Sequence, residues 1–339
     1  SLKVCGPMLR LLANWREIIA TQNLSAGRQV DGVSRWLLIT RASVFPMTLI
    51  SGLIGGLLAA GQPNLNVDWP SFALALAGLL IAHAAHNMIN DYFDLDAGVD
   101  SPGYTRTLYA PHPILSGLIS SKGLLAAIAV FNAVDLAILV YLTSLRGVGV
   151  VAFALAGLAI SVFYVAPPLR LKHHGFGEPG VAVVWGPLMI GGTYLVATGQ
   201  MQAWVVAASL PYAMLVSSVL FGKHIDKLEA DRDKEIHTLP VILGYDRAIA
   251  ATRILMIGFY ASVALLVGAG VLGVWTLVVF FSLPRLRSTL EILRQPKPEV
   301  APAGYPLWPL WYVAWAFRLN RLSGGLLVAG LAVNVFYPF

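Results

Sequence analysis

The sequence predicts an all-α integral membrane protein of about nine transmembrane helices. Composition and the placement of basic residues carry that prediction. The chain has 339 residues, of which 57% are hydrophobic and 12% charged, with a mean hydropathy of +0.72. An ordinary soluble domain carries roughly 25% charged residues. Half that share leaves too little polar surface to face water on all sides. The second observation is an alternation: Lys and Arg crowd into every other connection between apolar runs.

The elements follow in order. Residues 1–35 mix charges with short apolar runs and form an N-terminal cytoplasmic or interfacial segment. The long apolar core of a signal peptide is missing from it. Its Leu11–Ile19 stretch reads as a helix lying on the membrane surface. Residues 36–339 form a single transmembrane domain. Its expected spans are Trp36–Ala60, Pro70–Ile89, Gly123–Leu145, Gly147–Ala166, Pro179–Gly199, Ala203–Phe221, Ile249–Gly270, a short Val271–Leu283 and a last one near Leu322–Tyr337. The aromatic stretch Trp308–Phe317 is expected at the interface before the last span. Of the 23 basic residues, all but Arg146 fall on one side of this arrangement. The positive-inside rule makes that side cytoplasmic, together with the N-terminus. The net charge of +6 therefore reads as topology, with a lipid bilayer and no nucleic acid as partner. The single cysteine, Cys5, excludes an internal disulfide framework and a Cys-based metal site.

Acidic residues contribute little to orientation, so their clustering carries a different message. Asp91, Asp94, Asp96 and Asp100 follow the second span; Asp226, Glu229, Asp231, Asp233 and Glu235 follow the sixth. Both clusters face the same side, while Asp68 is isolated opposite. On a continuing helix, Asn87, Asn90, Asp91 and Asp94 share a face at i, i+3, i+4, i+7 spacing. Carboxylates crowded in this way repel unless a cation sits among them. Hard divalent cations take oxygen ligands, and magnesium combines one or two carboxylates with phosphate oxygens. Taken alone, each cluster also reads as a solvated helix end, the second with a Lys227–Asp231 i, i+4 pair. Between them stand Arg106, Arg170 and Lys172, which read either as membrane anchors or as a clamp for a diphosphate. The paired prolines Pro167 and Pro168 stop the fourth span just before Arg170.

These residues resemble the UbiA superfamily of intramembrane prenyltransferases, on its menaquinone-pathway-like branch. The resemblance is carried by Asn90-Asp91-Tyr92-Phe93-Asp94 with Gly98-Val99-Asp100, by Tyr164…Pro167-Pro168…Lys172…Gly175…Gly177-Glu178, by Gly186-Pro187-Leu188…Tyr194…Thr198-Gly199, and by Glu229-Ala230-Asp231-Arg232…Thr238-Leu239…Leu243-Gly244. It implies nine transmembrane helices and magnesium-dependent transfer of an isoprenyl group. The donor would be an isoprenyl diphosphate and the acceptor an aromatic or quinone-precursor molecule, with release of diphosphate. It places metal binding on Asn90, Asp91, Asp94, Asp100 and Asp231. Lys172 and Arg106 would neutralise diphosphate, and Tyr164 and Tyr194 would support an allylic cation.

The chain departs from the family at the second Asp-rich motif. Where Asn-x-x-Arg-Asp-x-x-x-Asp is usual, the positions read Lys223, Asp226, Lys227 and Asp231. Either Asp226 or Glu229 replaces the missing ligand, or Lys223 or Lys227 binds diphosphate directly. His112-Pro113 stands where Arg-Pro is usual, so Arg106 or His112 takes that role. Two other functions compete. One is a terpene cyclase acting on a prenyl diphosphate with no acceptor. The other is a transporter, disfavoured because the acidic residues sit at helix ends rather than near mid-membrane.

Overall fold

The computed structural model describes residues 7–338; Lys3 and Cys5 lie outside them. The helices are α1 (Pro7–Thr21), α2 (Gly32–Ile39), α3 (Phe45–Ala60), α4 (Trp69–Asp96), α5 (Thr105–Tyr109), α6 (Ser121–Arg146), α7 (Gly149–Phe163), α8 (Gly177–Val183), α9 (Met189–Thr198), α10 (Ala203–Asp226), α11 (Leu228–Asp233), α12 (Leu239–Leu243), α13 (Tyr245–Gly268), α14 (Leu283–Ile292) and α15 (Tyr312–Phe336). Among the described residues there is no β-sheet, only one isolated bridge between His174 and His237.

Seven helical segments among the described residues are long and apolar enough to cross a membrane. Two more of the nine expected spans exist as shorter pieces. One is α7, with 15 residues. The other is a nine-residue 3-10 segment, Val274–Ser282, that runs directly into α14. Helix α10 is the hub: 72% of its apolar window is buried, against 11% for α6. It packs on α13, α15 and α8, whereas α6 touches mainly α4, with α7 and α9 beside it, and leaves much of its apolar surface exposed.

Two expected boundaries move. The first span is broken at Thr40–Arg41, where Arg41 adopts a left-handed backbone (φ 54°) and turns its side chain toward Asp91. The last span begins at Tyr312, ten residues before the expected Leu322, so much of the expected interfacial stretch is helix. Arg318 and Arg321 depressed the hydropathy there. In the fold Arg318 lies over the Trp315 ring, and Arg321 donates to the carbonyls of Ile19 and Ser43.

One kink shapes the interior. Between α8 and α9 the helix widens into a π turn, Val184–Leu188, with Gly186 non-helical and Pro187 inside. Proline has no N–H to close the ladder. Ser51 Oγ donates to the Trp185 carbonyl at 2.6 Å. Glycine is required at 186 because a Cβ there would stand 2.6 Å from Cβ of Ala213 on α10.

On the far side, the lone exception to the charge rule has its own explanation. Arg146 bonds Asp68, the N-cap of α4, at 2.6 Å, and also the Val196 carbonyl. The expectation that acidic residues lie only at helix ends fails at Asp135, which stands near the midpoint of α6.

Candidate active site

The last two turns of α4 and α10 meet at one end of the bundle. Between them is a small polar pocket lined by Arg41, Asn90, Asp94, Asp100, Arg106, Tyr109, Tyr164, Lys172, Lys223, His224 and Lys227. Four carboxylates (Asp91, Asp94, Asp100 and Asp231) lie in or beside it, and all are buried. Lys172 Nζ sits 2.7 Å from both oxygens of Asp94. Lys227 Nζ lies 3.2 Å from Asp231 Oδ1, which also accepts a 2.5 Å bond from the Tyr104 hydroxyl. Burial alone would raise the Asp231 carboxyl. The charges of Lys227 and His224 and the Tyr104 bond outweigh it and hold the group below the usual carboxylate range. Asp100 follows the same logic: burial opposes ionisation, and His112 and Arg106 more than offset it.

Two loops close over this end. Lys234 Nζ donates to the Gly98 carbonyl at 3.0 Å, to the Val99 carbonyl and to Ser101. It also covers the Tyr104 ring at 4.7 Å, with Lys227 at 4.8 Å from the same ring. The loop after α4 is thereby tied to the end of α11.

Not every expected site residue reaches the pocket. Asp91 points elsewhere. Its two oxygens take Arg41 and Arg106, the latter at 3.2 and 3.3 Å. Successive helical residues are about 100° apart, so Asp91 faces the α2–α3 break while Asn90 faces the pocket. Asp91, Asp100 and His112 do bring ligand atoms within 4.8 Å of one another, a spacing suited to a metal. Two guanidiniums already neutralise Asp91 and would repel a divalent cation there, so we assign Asp91 and His112 to structure, while Asp100 also lines the pocket. His112 Nδ1 accepts backbone N–H groups of Ile114 and Leu115. Its proton is therefore on Nε2, 3.5 Å from Asp100 and 3.7 Å from Asp91.

Asp226 is also engaged elsewhere. Its carboxylate accepts the N–H groups of Trp311, Tyr312 and Val313 at 2.8–3.1 Å, capping α15 from another helix. Asp226→Ala strips these charge-assisted bonds and is expected to cost about 2–3 kcal/mol of stability. Thermal unfolding in detergent reads this, and donor affinity should stay unchanged. Glu229 is exposed and pairs with Arg232. Arg170 is exposed at the surface. Tyr194 packs on Trp204, close to Ala197, whose carbonyl accepts the Asp68 N–H. That places it at the opposite end of α4 from Asn90, on the order of 30 Å away.

Residues that sequence reasoning did not single out complete the pocket. In the sequence Arg41 reads only as topology. His224 lines the pocket and holds Glu178 at 2.6 Å. Both pairs join positions far apart in the chain, and no local pattern signals them.

Below the polar pocket lies a much larger cavity of about 260 Å³, lined by α4, α6, α7 and the kinked α8–α9 segment. His86 and Ile89 form its near end, and the His86 ring contacts Tyr164 at 5.7 Å. Tyr164 therefore stands where the polar and apolar compartments join.

The profile of the UbiA prenyltransferase family matches residues 48–308. The chain is 24% identical to 1,4-dihydroxy-2-naphthoate octaprenyltransferase of Bacillus subtilis over 310 residues, 88% of this chain and 92% of the relative. It is 28% identical to digeranylgeranylglyceryl phosphate synthase of Halobacterium salinarum over 233 residues, 68% and 76% of the two chains. A solved UbiA homologue from Archaeoglobus fulgidus bound to DMAPP and Mg2+ superposes with a TM-score of 0.62 at 16% identity, covering 89% of this chain and 99% of that one; that likeness is one of fold. A sequence match across most of the chain, on a bundle of the same architecture, gives one conclusion: this multi-pass membrane protein belongs to the UbiA prenyltransferase family.

Proposed function

We propose that the protein transfers an isoprenyl group from an allylic diphosphate to an aromatic or quinone-precursor acceptor, using Mg2+ at a pocket open to the cytoplasm. The observation that carries this reading is the adjacency of two compartments. A pocket walled by Arg41, Arg106, Lys172, Lys223 and Lys227 is separated from an apolar cavity only by the Tyr164–His86 contact. A diphosphate needs concentrated positive charge, and its hydrocarbon tail needs a dry groove. The DMAPP and Mg2+ in the Archaeoglobus structure and the name of the Bacillus relative support the classes of donor, metal and acceptor. The one-sided Lys and Arg distribution supports the cytoplasmic orientation.

The donor set fits a hard cation. Asn90, Asp94 and Asp100 offer oxygen ligands, and Asn90 Oδ1 and Asp231 Oδ2 are buried with no hydrogen-bond partner among the described residues. Asn90, Asp94 and Asp100 would hold Mg2+ on one side and Asp231 on the other. When bound, Mg2+ supplies charge neutralisation to the departing diphosphate.

The chain's own residues do the rest. Lys172 and Lys227 turn from Asp94 and Asp231 to the diphosphate oxygens. Lys223 pairs with no carboxylate among the described residues and is available from the start. The departure at the second motif is read as direct binding by lysine, because Lys223 and Lys227 line the pocket while Asp226 and Glu229 do not. Arg106 and Arg41, anchored on Asp91, supply fixed positive potential. The Tyr164 ring faces the developing allylic cation. The apolar walls keep water from it until the acceptor carbon attacks.

The test is a screen of prenyl diphosphates against aromatic acceptors with purified protein. Prenylated product and equivalent diphosphate are expected with Mg2+, and a loss of roughly a hundredfold or more with EDTA. A hydrocarbon formed without any acceptor would replace transfer by cyclisation. No diphosphate release from any donor would overturn the reading.

A further inference from the structure

Asp135 lies near the middle of α6, and its side chain lines the apolar cavity. Its Oδ1 stands 3.1 Å from where a Cβ would sit on Gly78 of α4. The missing side chain at Gly78 is what makes room for the carboxyl. Asp135 has no hydrogen-bond or ion-pair partner among the described residues. An ionisable group at mid-membrane is costly and is usually kept for a function. Hydrocarbon offers such a carboxyl no hydrogen bond in either protonation state.

We propose that Asp135 sets the length of the isoprenoid chain that the enzyme accepts; this rests on the prenyl-donor reading above. The polar pocket reaches Asn90, and the cavity continues from Ile89 down the same face of α4. Gly78 lies twelve residues before Asn90, about 18 Å along the helix and roughly the reach of an extended geranylgeranyl chain. Down to that level the tail meets Ile89, His86 and Ala82; past it the cavity continues along Leu139 and Leu142. At that level it meets the carboxyl. A longer tail must slide hydrocarbon past the carboxyl into the deeper part of the cavity, or escape sideways between α6 and α7. Chains up to geranylgeranyl are therefore favoured over one twice as long, such as octaprenyl. Asp135 is too far from the diphosphate pocket to touch the carbon that reacts, so its effect falls on selection rather than on the chemical step.

The experiment lets farnesyl, geranylgeranyl and octaprenyl diphosphates compete for one acceptor and reads the product ratio by mass spectrometry. Wild type should prefer geranylgeranyl to octaprenyl roughly tenfold or more. Asp135→Leu should shift that ratio toward octaprenyl by roughly ten- to a hundredfold, with Asp135→Asn between. Where a variant turns over too slowly, thermal shifts induced by the matching thiolodiphosphates read the same preference. An unchanged ratio in Asp135→Leu, or a wild type indifferent to length, overturns the assignment while leaving the transferase reading intact. A wild type that transfers nothing from any donor overturns both.

Discussion

Asp94→Asn is expected to lower turnover by about three orders of magnitude or more while the protein still folds. Asp94 is buried and takes both its contacts from Lys172 at 2.7 Å. The amide keeps an acceptor for Lys172 but loses the charge that would help to hold Mg2+. It also loses the charge that positions the lysine before donor binds. The ion pair is weakened rather than deleted, so stability should fall by no more than about 2 kcal/mol. Asp96 is the internal control: two residues on, it is exposed, and Asp96→Asn should stay within roughly twofold of wild type. Single-turnover release of diphosphate, read beside thermal unfolding, separates chemistry from folding. Full turnover in Asp94→Asn would remove Asp94 from the site.

The largest stability effect is expected at its neighbour. Asp91→Ala leaves Arg41 and Arg106 buried without their shared counter-charge, and removing one partner of a buried pair typically costs about 3–5 kcal/mol. The Arg106 contact with the Ala110 carbonyl does not replace a charge. A metal ligand at Asp91 would behave differently: its loss would raise the Mg2+ needed for half-maximal activity and leave unfolding nearly unchanged. The pairing seen here predicts the opposite pattern, with a large fall in unfolding temperature. A double variant, Arg41→Met with Asp91→Asn, should recover part of the lost stability, because it withdraws one of the two uncompensated guanidiniums. Equal stability of Asp91→Ala and wild type would overturn the structural role.

The two sites test how far a sequence pattern can be carried. Asn87, Asn90, Asp91 and Asp94 share a broad helical face, and that much follows from spacing. The face is wide enough to be divided between neighbours. Asn87 and Asp91 go to the Thr40–Arg41 break, while Asn90 and Asp94 go to the pocket. Asp226 and Lys227 divide in the same way at the end of α10. One caps α15 and the other enters the pocket, although the two are adjacent in the chain. Asp135 gives no signal in the sequence because a single acidic residue does not interrupt an apolar run of that length. Only the cavity beside it makes it conspicuous.

The sequence by itself determined that this is a helical membrane protein and which helix ends share a side, and it pointed to Asn90, Asp94, Lys172 and Asp231 as one candidate site. Hydropathy and charge placement are properties read along one dimension, and membrane insertion is itself governed by them. Tertiary structure alone decided which charges pair. Arg41 with Asp91, Asp226 with the start of α15 and Asp135 with Gly78 are contacts between distant segments. Their partners are set by helix rotation and packing, where a single residue step turns a side chain from one neighbour to another.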